Sequence, residues 1–224
     1  MQLFLSGDLV DINRLAKKYH YGAEDIEQLA NMWEEVYFCI AKNTQYVEHE
    51  GKSESGYVIE VNHRMVTRGE YDKLPLESAE LMAMTLGDAV DQRQNTFLEN
   101  ENLTAAYMME CICNEVLLSL YEKLNQQYAK EYGCYIKRYH FIGEKVPIEE
   151  MPKVLAMLDQ NQISCNEYGV LLPKKSVVFF AETTEQQEEE CRGICQYCTR
   201  ADCPNKSGEG FHLTYGYQKI FGNR

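Results

Sequence analysis

The feature that most restricts the fold is TAAYMMECICNEVLLSLYEKLNQQYAKEY, Thr104 to Tyr132, the longest regular element in the chain. Met109, Ile112, Val116, Leu120 and Leu124 recur three and four residues apart, so they share one stripe of a helix. Cys113 and Leu117 widen that face, whereas Glu110, Asn114 and Glu122 fall away from it. A stripe of this kind needs an apolar partner, and it is expected to lie on a sheet. Cys111 and Cys113, two residues apart on a helix, point to different sides, so they read as small buried hydrophobes rather than a pair of metal ligands.

The neighbouring segments supply the rest of such a fold. AEDIEQLANMWEEVYFCIAKN carries a helical period from Ala23 to Asn43 with acids in its first turn. YVIEV, from Tyr57, reads as a short strand. AELMAMTL is ambiguous by period, but Gly87 stops it and DAVDQRQNTFLEN resumes a helical pattern, giving strand, turn, helix. After Gly133, CYIKRYHF is expected to be extended, PIEEMPKVLAMLDQNQ (Pro147 to Gln162) helical, and SVVFFAE a buried strand. Strands and helices mixed without a regular βαβ repeat place the chain in the α+β class. The polar run TTEQQEEE then suggests a soft boundary near Thr183, with an α+β domain over residues 1–182 and an acidic linker with a Cys-rich, metal-binding tail over residues 183–224.

Charge limits the partners. Lys and Arg number 22 against 35 Asp and Glu, a net charge of −13 that repels both a nucleic-acid backbone and an anionic membrane surface. No uncharged apolar run approaches the roughly 18 residues of a membrane span, and the opening MQLFLSGDLVDINRL lacks the basic flank of a signal peptide. A cytoplasmic protein with reduced thiols is the expectation, so the nine cysteines do not read as a disulfide framework.

In that setting CRGICQYCTRADCPNK is a candidate metal centre. Cys191, Cys195, Cys198 and Cys203 follow the spacing C-x3-C-x2-C-x4-C, close enough for four thiolates to wrap one centre, with Gly193 supplying turn freedom and Pro204 closing the last loop. The first three reproduce the spacing of radical S-adenosylmethionine enzymes, but only 21 residues follow Cys203, and a fourth thiolate would fill the coordination site that chemistry leaves open. The alternatives are a four-cysteine iron-sulfur cluster and a structural zinc. His20, His49, His63, His140 and His212 show no ligand spacing, and there is no Gly-rich phosphate loop, GxSxG or HExxH.

Three collinear segments resemble the activation domain of cobalamin-dependent methionine synthase and its stand-alone relatives. They are TLGDAVDQRQNTFLENENLTAAYMMECICNEVLLSLYEKL from Thr85, RYHFIGEKVPI from Arg138 and NEYGVLLPKKSVVFF from Asn166. The resemblance spans roughly residues 20–182, and several stand-alone relatives end in a similar cysteine-rich tail. It implies a mostly antiparallel sheet packed with several helices, a shallow groove for S-adenosylmethionine, and docking over a corrinoid held by another protein or domain. There an external electron donor and the methyl group of S-adenosylmethionine restore cobalt that has been oxidised to an inert state. By resemblance, Arg138 matches the arginine that contacts the ligand and Pro147 the proline closing that loop. Glu167 matches the glutamate of Thr-Glu-Ser, and Ser176 the serine opening the last strand. Ile142 and Gly143 stand where the family has Gly-Tyr, and Asn166 and Tyr168 where it has Thr and Ser. The expected function is a corrinoid reactivation or accessory factor, with the tail relaying an electron if it holds iron and sulfide. The alternative is a non-catalytic binding module whose tail is stapled by zinc. Lys174 with Lys175, and the KRYH segment, are the candidate patches for docking an acidic electron carrier.

Overall fold

The computed structural model describes residues 1–7, 9–41, 45–48 and 55–191. In chain order the elements are β1 (Gln2–Leu5), α1 (Ile12–Lys18), α2 (Ile26–Ala41), β2 (Gln45–Glu48), β3 (Ser55–Glu60), β4 (Asn62–Thr67) and β5 (Ser78–Thr85). They continue with α3 (Asp88–Glu99), α4 (Leu103–Tyr132), β6 (Tyr135–Phe141), α5 (Met151–Leu155), β7 (Ser164–Cys165), β8 (Leu171–Leu172) and β9 (Ser176–Thr184). The class is α+β with antiparallel sheets.

A four-stranded antiparallel sheet in the order β4-β5-β9-β6 is the centre of the molecule, beside a three-stranded sheet in the order β1-β3-β2. Each face of the central sheet has its own core. Met82, Met84, Phe179 and Ala181 face one way and pack with α2 and α4 residues such as Val36, Ile112, Val116 and Leu120. Leu81, Ala83, Val178 and Phe180 face the other way, under Tyr71, Val154, Leu155 and Leu158. Burial on both faces is why AELMAMTL shows no alternation: β5 has six consecutive buried residues, a run that carries no period.

α4 forms as its stripe demands. Asn102 caps its start by accepting from Ala105 N at 3.1 Å, and Gly133, at φ 68°, ends it in the left-handed conformation that a residue without Cβ adopts freely. Met109, Ile112, Val116, Leu120 and Leu124 are all buried, and the helix packs on α2, α3, β1 and β6. Cys111 and Cys113 are buried as well, and burial pushes the Cys113 thiol up to about 12. Among the described residues α4 is the one helix long and apolar enough to cross a membrane, but half of its most apolar window is buried inside the protein.

One expectation changes in detail. The helix expected from Pro147 is instead a 3-10 turn at Ile148–Glu150 followed by the short α5, with Pro152 in its first turn. Beyond it the Gln160 side chain donates to Ile163 O and accepts from Ile163 N, at 2.8 Å each, and closes a loop. β9 runs through Thr183 to Thr184, and further along Cys191 N donates to Ile136 O at 2.8 Å. The segment after β9 runs back along the outer edge of β6, where Lys137 pairs with Glu189 at 3.0 Å.

Candidate functional site

Arg138 lies on β6, an edge strand that carries a bulge between Ile136 and Arg138. The bulge leaves Lys137 as the extra residue and sets Arg138 opposite Glu182. Glu182 also stands 3.4 Å from His140 Nε2 and 3.6 Å from Lys137 Nζ, so two side chains of β6 converge on one carboxylate. Burial holds the His140 imidazole below the usual histidine range, with the Glu182 hydrogen bond opposing it. Of the KRYH patch, Lys137 is engaged by Glu182 and Glu189.

Past β6 the chain turns tightly. Gly143 sits at φ 100° and its N–H reaches Val146 O at 2.7 Å, while Ile142 and Val146 are buried in the core under the sheet. Ile142 is therefore a packing residue of that core. Exposed Pro147 follows and starts the 3-10 turn.

Glu167 is exposed at the tip of the β7–β8 hairpin. Asn166 builds that tip: its Oδ1 accepts from Tyr168 N and Val170 N, both at 3.0 Å. Gly169, at φ 75°, lies against Ile148, where an added Cβ would come within 2.8 Å of Ile148 Cγ1 and 3.0 Å of its carbonyl oxygen. The loop after Pro147 and the tip bearing Glu167 are thus brought together, with exposed Ile148, Tyr168, Val170 and Leu172 around them.

Ser176 is not part of that group. It is buried, with Oγ 2.7 Å from Thr85 Oγ1 and 2.6 Å from Pro173 O, and ties the start of β9 to the Thr85-Leu86-Gly87 turn. Glu182, the strand partner of Arg138, is six residues further along β9, a separation of about 20 Å at strand rise.

A partly buried polar cluster beside Ser176 was invisible in the sequence. Lys175, 7% exposed, pairs with Glu110 and reaches Asn114 Oδ1 at 3.4 Å. Gln94 donates to Glu110 Oε2 at 3.0 Å, and Asp91 Oδ2 accepts from Lys174 N at 2.6 Å. Burial opposes ionisation of Glu110, but Lys175, Gln94 and Asn114 outweigh it and hold its carboxyl below the ordinary range. Lys175 is therefore an internal ion-pair partner rather than half of a docking patch; Lys174 remains exposed. His63 acquires partners too, with Nδ1 2.7 Å from buried Glu80 on the next strand and Nε2 3.1 Å from the Tyr132 hydroxyl.

Among the described residues no group of three or more His, Cys, Asp or Glu is arranged to hold a metal ion. Cys191 is described and buried, while Cys195, Cys198 and Cys203 lie outside the described residues. No family model matches the chain, and no curated protein matches it either.

Proposed function

We propose that the protein is an accessory factor that reactivates a corrinoid protein, binding S-adenosylmethionine on the main domain and a metal centre at the cysteine tail. The observation that carries this reading is the placement of the three resembling segments. They supply the end of β5 with α3 and most of α4, then the second half of β6 and its turn, then the hairpin tip with β8 and the first part of β9, and β9 lies between β5 and β6 in the central sheet.

By the resemblance, Arg138, Pro147 and Glu167 are the residues assigned to S-adenosylmethionine. Arg138 offers a guanidinium to a carboxylate and Glu167 a carboxylate to an ammonium, the two charged groups of an amino-acid end. Ser176 is committed to Thr85 and Pro173, and Ile142 to the core. When bound, S-adenosylmethionine supplies a methyl group to reduced cobalt, after an external donor has supplied one electron. The chain's own contribution is to bind and orient. Four thiolates suit either iron-sulfur or zinc by their donor chemistry, and only iron-sulfur would serve as a relay.

A calorimetric titration of the reduced, full-length protein with S-adenosylmethionine tests the reading. Saturable binding that is lost in Arg138→Ala and retained in Ser176→Ala supports it; absence of binding removes it. The second reading, a non-catalytic module with a zinc-stapled tail, is favoured by the attachment of Cys191 to the core. Colourless protein containing zinc and no sulfide after anaerobic purification would decide for that reading.

A further inference from the structure

Glu80, His63 and Tyr132 form a chain of hydrogen bonds from the central sheet to the end of α4. Strand register sets the first contact. His63 on β4 lies opposite Met82, and Glu80, two residues before Met82, turns to the same face of β5. His63 Nδ1 is 2.7 Å from Glu80 Oε1, and Glu80 is 6% exposed. A carboxylate can only accept, so Nδ1 carries the hydrogen and the neutral ring keeps its lone pair on Nε2. That nitrogen is 3.1 Å from the hydroxyl of Tyr132, the last residue of α4. Tyr132 therefore donates to an imidazole that Glu80 holds in orientation.

A hydroxyl, a base and an acidic orienter in series can activate a nucleophile. The surroundings favour a different use. Burial, with Glu131 and Glu80 nearby, holds the Tyr132 hydroxyl above the usual phenol range, so the phenolate that nucleophilic attack requires is disfavoured. The same contacts assist the loss of an electron. A phenol that loses one becomes a strong acid, and its proton has an acceptor already in place at Nε2. The resulting imidazolium is stabilised by Glu80 and by its position beside the C-terminal end of α4, where the helix carbonyls favour a cation. Tyr132 is 46% exposed, within reach of an external oxidant, and its ring lies 4.8 Å from that of buried Tyr128.

We propose that Tyr132 is a one-electron redox site, with His63, oriented by Glu80, as its proton acceptor. The reacting partner is an outer-sphere one-electron oxidant, neutral or cationic because the chain carries a net charge of −13. The oxidant gains one electron from the Tyr132 ring as the hydroxyl proton moves from Oη to His63 Nε2. A neutral phenoxyl radical and an imidazolium paired with Glu80 remain. An enediol reductant such as ascorbate then returns one electron to the ring, releasing its own proton to water, and the first proton moves back from Nε2 to Oη. Arg138, Glu167 and the tail cysteines take no part, so this site stands or falls separately from the function proposed above.

The test oxidises the full-length protein with photogenerated tris(bipyridine)ruthenium(III), a cation, and follows radical formation by transient absorption and electron paramagnetic resonance. The chain has 16 tyrosines, so the Tyr132 signal is the phase lost in Tyr132→Phe. His63→Gln isolates the proton transfer, because an amide can donate to Glu80 and accept from Tyr132 but is not a base. The expected result is a phenoxyl phase in wild type that slows in deuterium oxide, is absent in Tyr132→Phe, and is about 100-fold slower in His63→Gln. Glu80→Gln should slow it by less, and a wild-type rate there would overturn the role of Glu80. Equal rates in wild type and His63→Gln, no phase lost in Tyr132→Phe, or no phenoxyl radical in wild type would each overturn the proposal. If His63→Gln does not fold, the isotope comparison on wild type decides, and equal rates in light and heavy water would overturn it.

Discussion

Lys175 and Glu110 form an ion pair between the start of β9 and the first third of α4, and the two partners are unequally buried. The Lys175 side chain is 9% exposed and that of Glu110 is 37% exposed. Glu110→Ala strands a buried ammonium, whereas Lys175→Met leaves a carboxylate that water and Gln94 still reach. The expected loss of stability is about 3 kcal/mol or more for Glu110→Ala and about 1–2 kcal/mol for Lys175→Met. Chemical denaturation of both variants checks the order.

The pair also sets an acid limit. The Glu110 carboxyl is held below its ordinary value of 4.5, so its contribution is complete above that pH and is lost as pH falls through the depressed folded value. Wild-type stability should therefore decline below about pH 4.5, and Glu110→Gln should show a shallower decline over the same window while being less stable at neutral pH.

His140 acts in a higher window with the same sign. Burial depresses its folded value below 6.5, so the unfolded chain takes up a proton that the folded chain refuses. Stability is expected to fall as pH drops from about 6.5 toward the depressed value. His140→Gln should remove that slope, measured as the denaturation midpoint against pH between roughly 7 and 5.

Gly169 is the tightest point of the hairpin. Alanine there has to adopt φ 75° with its Cβ 2.8 Å from Ile148 Cγ1. Gly169→Ala should cost about 1–3 kcal/mol in thermal or chemical denaturation. It should also weaken any S-adenosylmethionine binding that depends on Glu167, because the strain falls between that residue's loop and the one after Pro147.

Cys198→Ser addresses the tail alone. If the four cysteines hold an iron-sulfur cluster, the variant purified without air should lose iron, sulfide and visible absorption together. If they hold zinc, it should lose zinc with no change in colour. In either case the Arg138-dependent titration should persist, since the main domain is complete without Cys198.

The legible parts of this fold were those determined by local spacing. α2, α3 and α4 show their periods and stops in the sequence, and β6 and β9 show extended, branched or aromatic runs. β1, α1, β4 and the β7–β8 hairpin are too short or too polar to announce themselves, and they exist because the larger elements offer them an edge or a face. The site was legible only as segments. Nothing in the spacing of Arg138 and Ser176 says that Arg138, on β6, pairs with the end of β9 distant from Ser176, because that separation follows from strand register.

The sequence by itself determined the α+β class, the long core helix, the density of thiols after Cys191 and the acidic balance of the chain. Each of these depends on residue type or on neighbours within a few positions. The tertiary structure alone decided that Lys175 is internal, that Glu80 and Tyr132 face the two ring nitrogens of His63, and that Ile142 fills the core. Those outcomes depend on which surfaces meet across the sheet. A lysine or a histidine has the same local signature on a solvated face as in a satisfied interior, and only the partners brought by folding separate the two.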